Sequence, residues 1–164
     1  MLYEEVFHEF QREQIRYLVI GGIAVNLQGY MRLTVDLDVM VDLSENNLTK
    51  IVNSMERLEY APRVPVKSSD FISEEKRNAW IREKGAIAFT FVHIRRASKQ
   101  VDFLLANAID FEDAYKRKEI KTVSGVQIPI ASVDDIIALK VASARPRDKE
   151  DIEYLKRVKN RTKE

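Results

Sequence analysis

Apolar positions recur along this chain with two different periods, and the period changes mark its elements. From Leu2 to Gln14 the spacing of Leu2, Val6 and Phe10 predicts an amphipathic helix. Tyr17–Ile20 is a short continuous apolar run and reads as a buried strand. Gly21 and Gly22 break it, and Ile23–Gln28 reads as a short helix. Leu37–Val41 is a second strand. Ser44 is a helix N-cap, opening a helix from Glu45 to Leu58 with Leu48, Ile51, Val52 and Met55 facing inward. Pro62 and Pro65 mark an irregular stretch. Glu74–Lys84 is helical, with Trp80 and Ile81 against the body. Ala86–Ile94 and Gln100–Leu105 are strands joined by a polar turn, "RRASK". Phe111–Lys116 is helical. Glu119–Val123 and Val126–Ile130 flank Ser124-Gly125, a two-residue hairpin signal. Ser132 caps a helix from Val133 to about Ala144, Pro146 interrupts it, and a last helix runs from Asp148 to Lys159.

Hairpins and crossovers alternate in this order. The expectation is an α/β (α+β) fold with a small mixed sheet of five or six strands and flanking helices. With 164 residues and 45% hydrophobic content, one core is expected. Residues 1–164 are read as a single domain, with C-terminal helices from about 132. Lys plus Arg number 27 and Asp plus Glu 26, so a net charge of +1 gives no global attraction to nucleic acid. Cysteine is absent, which excludes disulfides and thiolate metal sites and suits a reducing cytoplasm. No apolar stretch approaches the ~20 residues that span a bilayer, so no membrane partner is expected. The amphipathic, acidic N-terminus does not have the pattern of a signal peptide.

Charge enters the picture at "DLD". Asp36 and Asp38 are two apart in an extended segment, so they share one face. Two like charges there raise each other's pKa unless a cation compensates. A hard divalent cation with oxygen ligands is a natural partner. Two such ions bridged by carboxylates suit in-line displacement at phosphorus. A pair of aspartates facing solvent at a strand end, matched by Arg or Lys, is the plainer alternative. Gly21-Gly22 follow a strand and open a helix, where bare backbone N–H groups can meet an anion. Asp102 is the lone charge in the apolar strand "QVDFLL", facing away from Val101 and Phe103.

Together, "IGG", a spacer to Val35, "DLD" and then "VDF" resemble the nucleotidyltransferase superfamily of DNA polymerase beta type. The small size and the ending "DDIIALKVASARPRDKEDIEYL" are similar to its minimal branch, the AbiEii-type abortive-infection toxin nucleotidyltransferases and their uncharacterised relatives. The resemblance implies a magnesium-dependent enzyme that moves a nucleoside monophosphate from a nucleoside triphosphate to a hydroxyl acceptor, with pyrophosphate release. It implies two magnesium ions, for which manganese can substitute, held by Asp36, Asp38 and Asp102. These three are the candidate catalytic residues, with Asp102 the candidate general base. Gly21, Gly22 and Lys140 are the candidate triphosphate contacts. Lys140, Arg145 and Asp148 match the branch's Lys and Arg-x-x-Asp step loosely. Many members carry Ser where this chain has Gly22, and that hydroxyl can bind a phosphate.

The acceptor and the base preference are not written in the sequence. RNA ends, a protein side chain and a small hydroxylated molecule such as an aminoglycoside all stay open. A cognate toxin or antitoxin is a further candidate partner. The rival functional class is an antitoxin or regulatory module that keeps the fold and binds nucleotide or partner without turnover. A structural domain with exposed aspartates is the third. Arg95, Arg96 and Lys99 form a basic hairpin tip, ordinarily a solvated turn but able to meet a phosphate backbone. His93, Trp80 and Tyr30 are read as packing residues.

Overall fold

The structure is a computed structural model, described here for residues 2–106 and 108–161. Seven strands form one mixed sheet: β1 (Tyr17–Ile20), β2 (Leu37–Val41), β3 (Tyr60–Pro62), β4 (Ala88–His93), β5 (Arg96–Leu104), β6 (Glu119–Val123) and β7 (Val126–Ile130). Their order is β3-β4-β5-β2-β1-β7-β6. The pairs β2–β5 and β1–β7 are parallel; the other four are antiparallel. Seven helices flank it: α1 (Glu4–Arg12), α2 (Gly21–Leu27), α3 (Glu45–Arg57), α4 (Glu74–Lys84), α5 (Phe111–Lys116), α6 (Val133–Ser143) and α7 (Asp148–Arg161). A 3-10 turn covers Ser68–Ile72.

Local chemistry sets these boundaries. The Ser44 hydroxyl accepts from Asn47 N–H at 3.4 Å, and the Ser132 hydroxyl accepts from Asp135 N–H at 3.2 Å, each satisfying a donor left open by a helix start. Ser124 and Gly125 both have positive φ, as the tight β6–β7 hairpin requires. All four residues of β1 are buried, which explains the unbroken apolar run.

Three details differ from the sequence pattern. Leu2 stays 45% exposed, and Tyr3, Val6, Phe7 and Phe10 form the buried face of α1 instead. The sheet gains β3, whose three residues end at Pro62 and are too short to register as a strand against two nearby prolines. Strand β5 starts at Arg96, because a register shift at Val92/His93 lets its exposed first residues pair without burying side chains.

The core on the β4–β5 side is aromatic. Phe103 is fully buried, 5.7 Å from Phe91, 5.5 Å from Phe71 and 6.3 Å from Phe10, ring centre to ring centre. Phe103 is also the residue that follows Asp102, so this packing fixes which way Asp102 points. No helix of the described residues is long and apolar enough to cross a membrane. Phe103→Ala is expected to cost about 3–5 kcal/mol, read by urea denaturation. A loss below about 1 kcal/mol would show that the aromatic cluster does not anchor β5.

Candidate active site

Strand β2 lies between β5 and β1. Parallel pairing with β5 sets Asp38 directly against Asp102, and antiparallel pairing with β1 sets Asp38 against Ile20. Side-chain alternation then puts both carboxylates on one face, while the neighbours Leu37, Val39, Val101 and Phe103 are buried on the other. Asp36 lies two residues before, half-buried at the mouth of β2. Asp38 and Asp102 are therefore brought together, and Asp36 lies near enough for its charge to act on both.

This proximity is costly for the ionised forms. Burial, followed by the charges of Asp102 and Asp36, pushes the Asp38 pKa from 3.8 up to about 6. Burial also raises Asp102, opposed by a hydrogen bond from Thr90 and reinforced by Asp36. Among the described residues, Arg145 and Lys140 act on Asp38 only through space. Thr90 stands across the β4–β5 ladder from Asp102 and donates from its hydroxyl to Oδ1 at 2.6 Å. The sequence reading passed over Thr90, although it is a polar residue between buried Phe89 and Phe91 on the same face as Asp102.

The glycines make room for this cluster. Gly21 has φ +64°, and a Cβ there would come within 2.8 Å of the Asp38 carboxylate carbon. A Cβ at Gly22 would come within 2.8 Å of Thr34 Cβ and 3.0 Å of Arg32 Nη2. The chain thus keeps its backbone bare at two consecutive positions so that side chains from residues 32–38 can lie on it.

Lys140 is buried and fully engaged. Its ammonium donates to Asp148 Oδ1 at 3.0 Å and to Asp151 Oδ2 at 2.7 Å. Burial alone would raise Asp148, but the Ser143 hydroxyl and Lys140 hold it below the usual carboxylate range. Asp151 also receives Arg32 Nη2 at 2.9 Å. This four-charge network joins the segment before β2 to α6 and α7; neither Arg32 nor Asp151 was singled out from sequence. The basic hairpin tip is partly paired within the fold, its three cations sharing two carboxylates. Arg95 pairs with Glu59 at 2.7 Å, and Lys99 with Glu5 at 2.5 Å. His93 is buried edge-on to Tyr60, Trp80 stacks on Phe89 at 5.3 Å, and Tyr30 stacks on Tyr154 at 4.7 Å.

Among the described residues, no three His, Asp or Glu side chains close into a cage for an ion. Magnesium does not require one: one or two carboxylates commonly hold it, with water and substrate phosphate completing its shell. Two adjacent, partly desolvated carboxylates with no contacting Lys or Arg among the described residues suit that donor set. An open depression of about 550 Å³ lies at the far end of β2, lined by Val41, Asp42, Leu105 and Phe111, away from the aspartates.

Comparisons with known proteins bear on the family and the fold. A family described as "Nucleotidyltransferase of unknown function (DUF6036)" matches residues 2–161. No curated protein sequence matches the chain. Among solved structures, the lincosamide antibiotic adenylyltransferase LnuA with lincomycin bound is similar, with TM-score 0.62 and 17% identity over 94% of this chain and 96% of that one. ANT(2'')-Ia in complex with adenylyl-2''-tobramycin gives TM-score 0.60 and 12% identity over 94% and 85%. An antigenic nucleotidyltransferase-like protein from Paracoccidioides brasiliensis gives 0.52 and 15% over 92% and 71%. At these identities the likeness is one of fold.

Two expectations follow. The folded Asp38 carboxyl binds its proton more readily than the unfolded one, so its contribution to the metal-free protein falls as pH rises from about 4 to about 6. Asp38→Asn should remove that loss. Its stability relative to wild type, from urea melts, should therefore climb by about 3 kcal/mol across the window. A constant difference would mean that the carboxylate is not held in this field. Gly21→Ala should cost about 1–2 kcal/mol from its positive φ alone, and more as Asp38 is displaced. A thermal midpoint equal to wild type would contradict the close approach.

Proposed function

The chain belongs to the DUF6036 nucleotidyltransferase family, and from that membership we propose that it moves a nucleoside monophosphate from a nucleoside triphosphate to a hydroxyl acceptor. The observation that carries this reading is the register of Asp38 against Asp102, with Asp36 at the mouth of the same strand. Asp36, Asp38 and Asp102 would hold magnesium, or manganese in its place. Bound there, the divalent ions would acidify the attacking hydroxyl and offset the charge of the triphosphate.

The rest of the mechanism belongs to the chain's own groups. The acceptor oxygen forms a bond to the α-phosphorus as the bond from that phosphorus to the α,β-bridging oxygen breaks. Pyrophosphate carries away the electron pair. Asp102 takes the hydroxyl proton, a role helped by its raised pKa, and Thr90 fixes the oxygen that does not take it. Gly21 and Gly22 offer backbone N–H groups to the phosphates. Arg145 is exposed, and its charge reaches both carboxylates, so it faces the outer phosphates. Lys140 stands behind it in the ion-pair network and adds its field at Asp38.

For the acceptor, a small hydroxylated molecule is the reading best supported. Two of the similar structures contain lincomycin or an adenylylated tobramycin. The basic hairpin tip, the local feature that favoured RNA, has two of its three charges offset by Glu59 and Glu5. The test incubates the protein with each α-labelled triphosphate, magnesium or manganese, and three acceptor pools: aminoglycosides and lincosamides, RNA, and protein. Label on a small molecule is expected. Label on RNA or on protein would replace that acceptor, the latter as in a toxin–antitoxin pair, and no label in any pool would favour a binding module without turnover.

Two further outcomes are expected. Magnesium with the preferred triphosphate at about 100 times its dissociation constant should stabilise the fold by ~2.7 kcal/mol, seen as a raised melting temperature. Asp102→Ala should reduce turnover far more than triphosphate affinity, measured as a kcat loss with a nearly unchanged Kd. Equal losses in both would move Asp102 from the attacking side to the phosphate side of the site.

A further inference from the structure

From Met31 to Leu37 the chain runs extended and alternates. Met31 and Leu33 are 82% and 87% exposed, whereas Arg32, Thr34 and Asp36 turn toward the protein. The inward row is held firmly. Asn26 clasps the Arg32 backbone from both sides, donating from Nδ2 to its carbonyl at 3.0 Å and accepting its N–H on Oδ1 at 3.1 Å. The Arg32 guanidinium is in turn gripped by Asp151, which is fully buried. Thr34 therefore has a fixed place, and that place is over the bare backbone of Gly22. Its Oγ1 lies inside the volume that a Cβ at 22 would need, and its Cβ would be 2.8 Å from that atom.

The neighbouring glycine is covered in the same way by the Asp38 carboxylate. The Thr34 hydroxyl and the Asp38 carboxylate thus lie against consecutive residues of one backbone turn. Among the described residues none forms a hydrogen bond with the Thr34 hydroxyl, which is half-buried and lies against Gly22. A hydroxyl fixed in that position has a donor to spare where the triphosphate would lie.

We propose that Thr34 is a triphosphate-binding residue: its hydroxyl, lying against Gly22, donates to a non-bridging oxygen of the triphosphate. This rests on the transferase reading above. It also makes the side chains at 22 and 34 mutually exclusive. A hydroxyl can reach this point from either position, but the space holds only one of them.

The test is calorimetric binding of magnesium tripolyphosphate, a probe that needs neither a base nor turnover. Wild type should bind. Thr34→Val should bind about tenfold more weakly or worse, as loss of a hydrogen bond to a charged group predicts, while Thr34→Ser should stay close to wild type. Gly22→Ser alone should bind poorly, because its Cβ meets Thr34. Gly22→Ser combined with Thr34→Gly should recover most of the affinity that Thr34→Gly loses. Undiminished affinity in a folded Thr34→Val overturns the assignment and leaves the transferase reading standing. Failure of wild type to bind overturns both. Should Thr34→Val fail to fold, the comparison of Thr34→Gly with the double variant decides: regained affinity supports the assignment, and equal affinity overturns it.

Discussion

Two carboxylates on adjacent parallel strands repel each other, and much of the surrounding structure can be understood as accommodating that repulsion. Asp38 and Asp102 are register partners in the middle of a seven-stranded sheet, where water reaches them only in part. The aromatic packing around Phe103 holds one strand, and the buried apolar residues of β1 and β2 hold the other. With the backbone committed, the side chains cannot separate. Thr90 binds one of them, and Gly21 gives up its side chain to make space for the other. A site that keeps like charges together at the expense of stability is a frequent property of functional centres, where a ligand supplies the missing countercharge.

The second theme is how far apart in sequence the supports lie. Tyr3 shows this on one side: its hydroxyl donates to the Val35 carbonyl at 2.7 Å and accepts from Gln100 N–H at 2.9 Å. It thereby ties the residues just before β2 to the middle of β5, ahead of the aspartates. The charged network of Arg32, Lys140, Asp148 and Asp151 ties the same lead-in to β2 to α6 and α7. Buried ion pairs contribute little net stability, but removing one partner leaves a stranded charge, so such networks favour one geometry over others.

Much of this was legible in the sequence. The helix caps at Ser44 and Ser132, the Ser124-Gly125 hairpin and the alternation around Asp102 depend on short-range rules, and each stands where the pattern put it. The convergence of Asp102 on "DLD" needed sheet order, which the resemblance supplied and the register now gives directly. Strand β3 was not legible, because three residues ending in proline carry almost no periodic signal. Nor was the use of Arg32 and Thr34. Their alternation with Met31 and Leu33 was visible, yet only the three-dimensional contact with Gly22 and Asp151 gives it meaning. Lys140 had the opposite difficulty: the resemblance makes it a candidate triphosphate contact, and only the chain fold brings two aspartates to it.

The contact between Arg32 and Asp151 spans 119 residues. On a ribosome adding about 5–20 residues per second, the later partner is made roughly 6–24 s after the earlier one, and emerges from the exit tunnel later still. Until then the segment carrying Thr34 is held by Asn26 and Tyr3 but lacks the buried partner of its Arg32 guanidinium, even though β1, β2 and β5 already exist. The nascent chain can therefore gather its sheet early and complete its phosphate-facing edge last, so that the same ion pair which holds the mature site also sets when in synthesis that site comes into being.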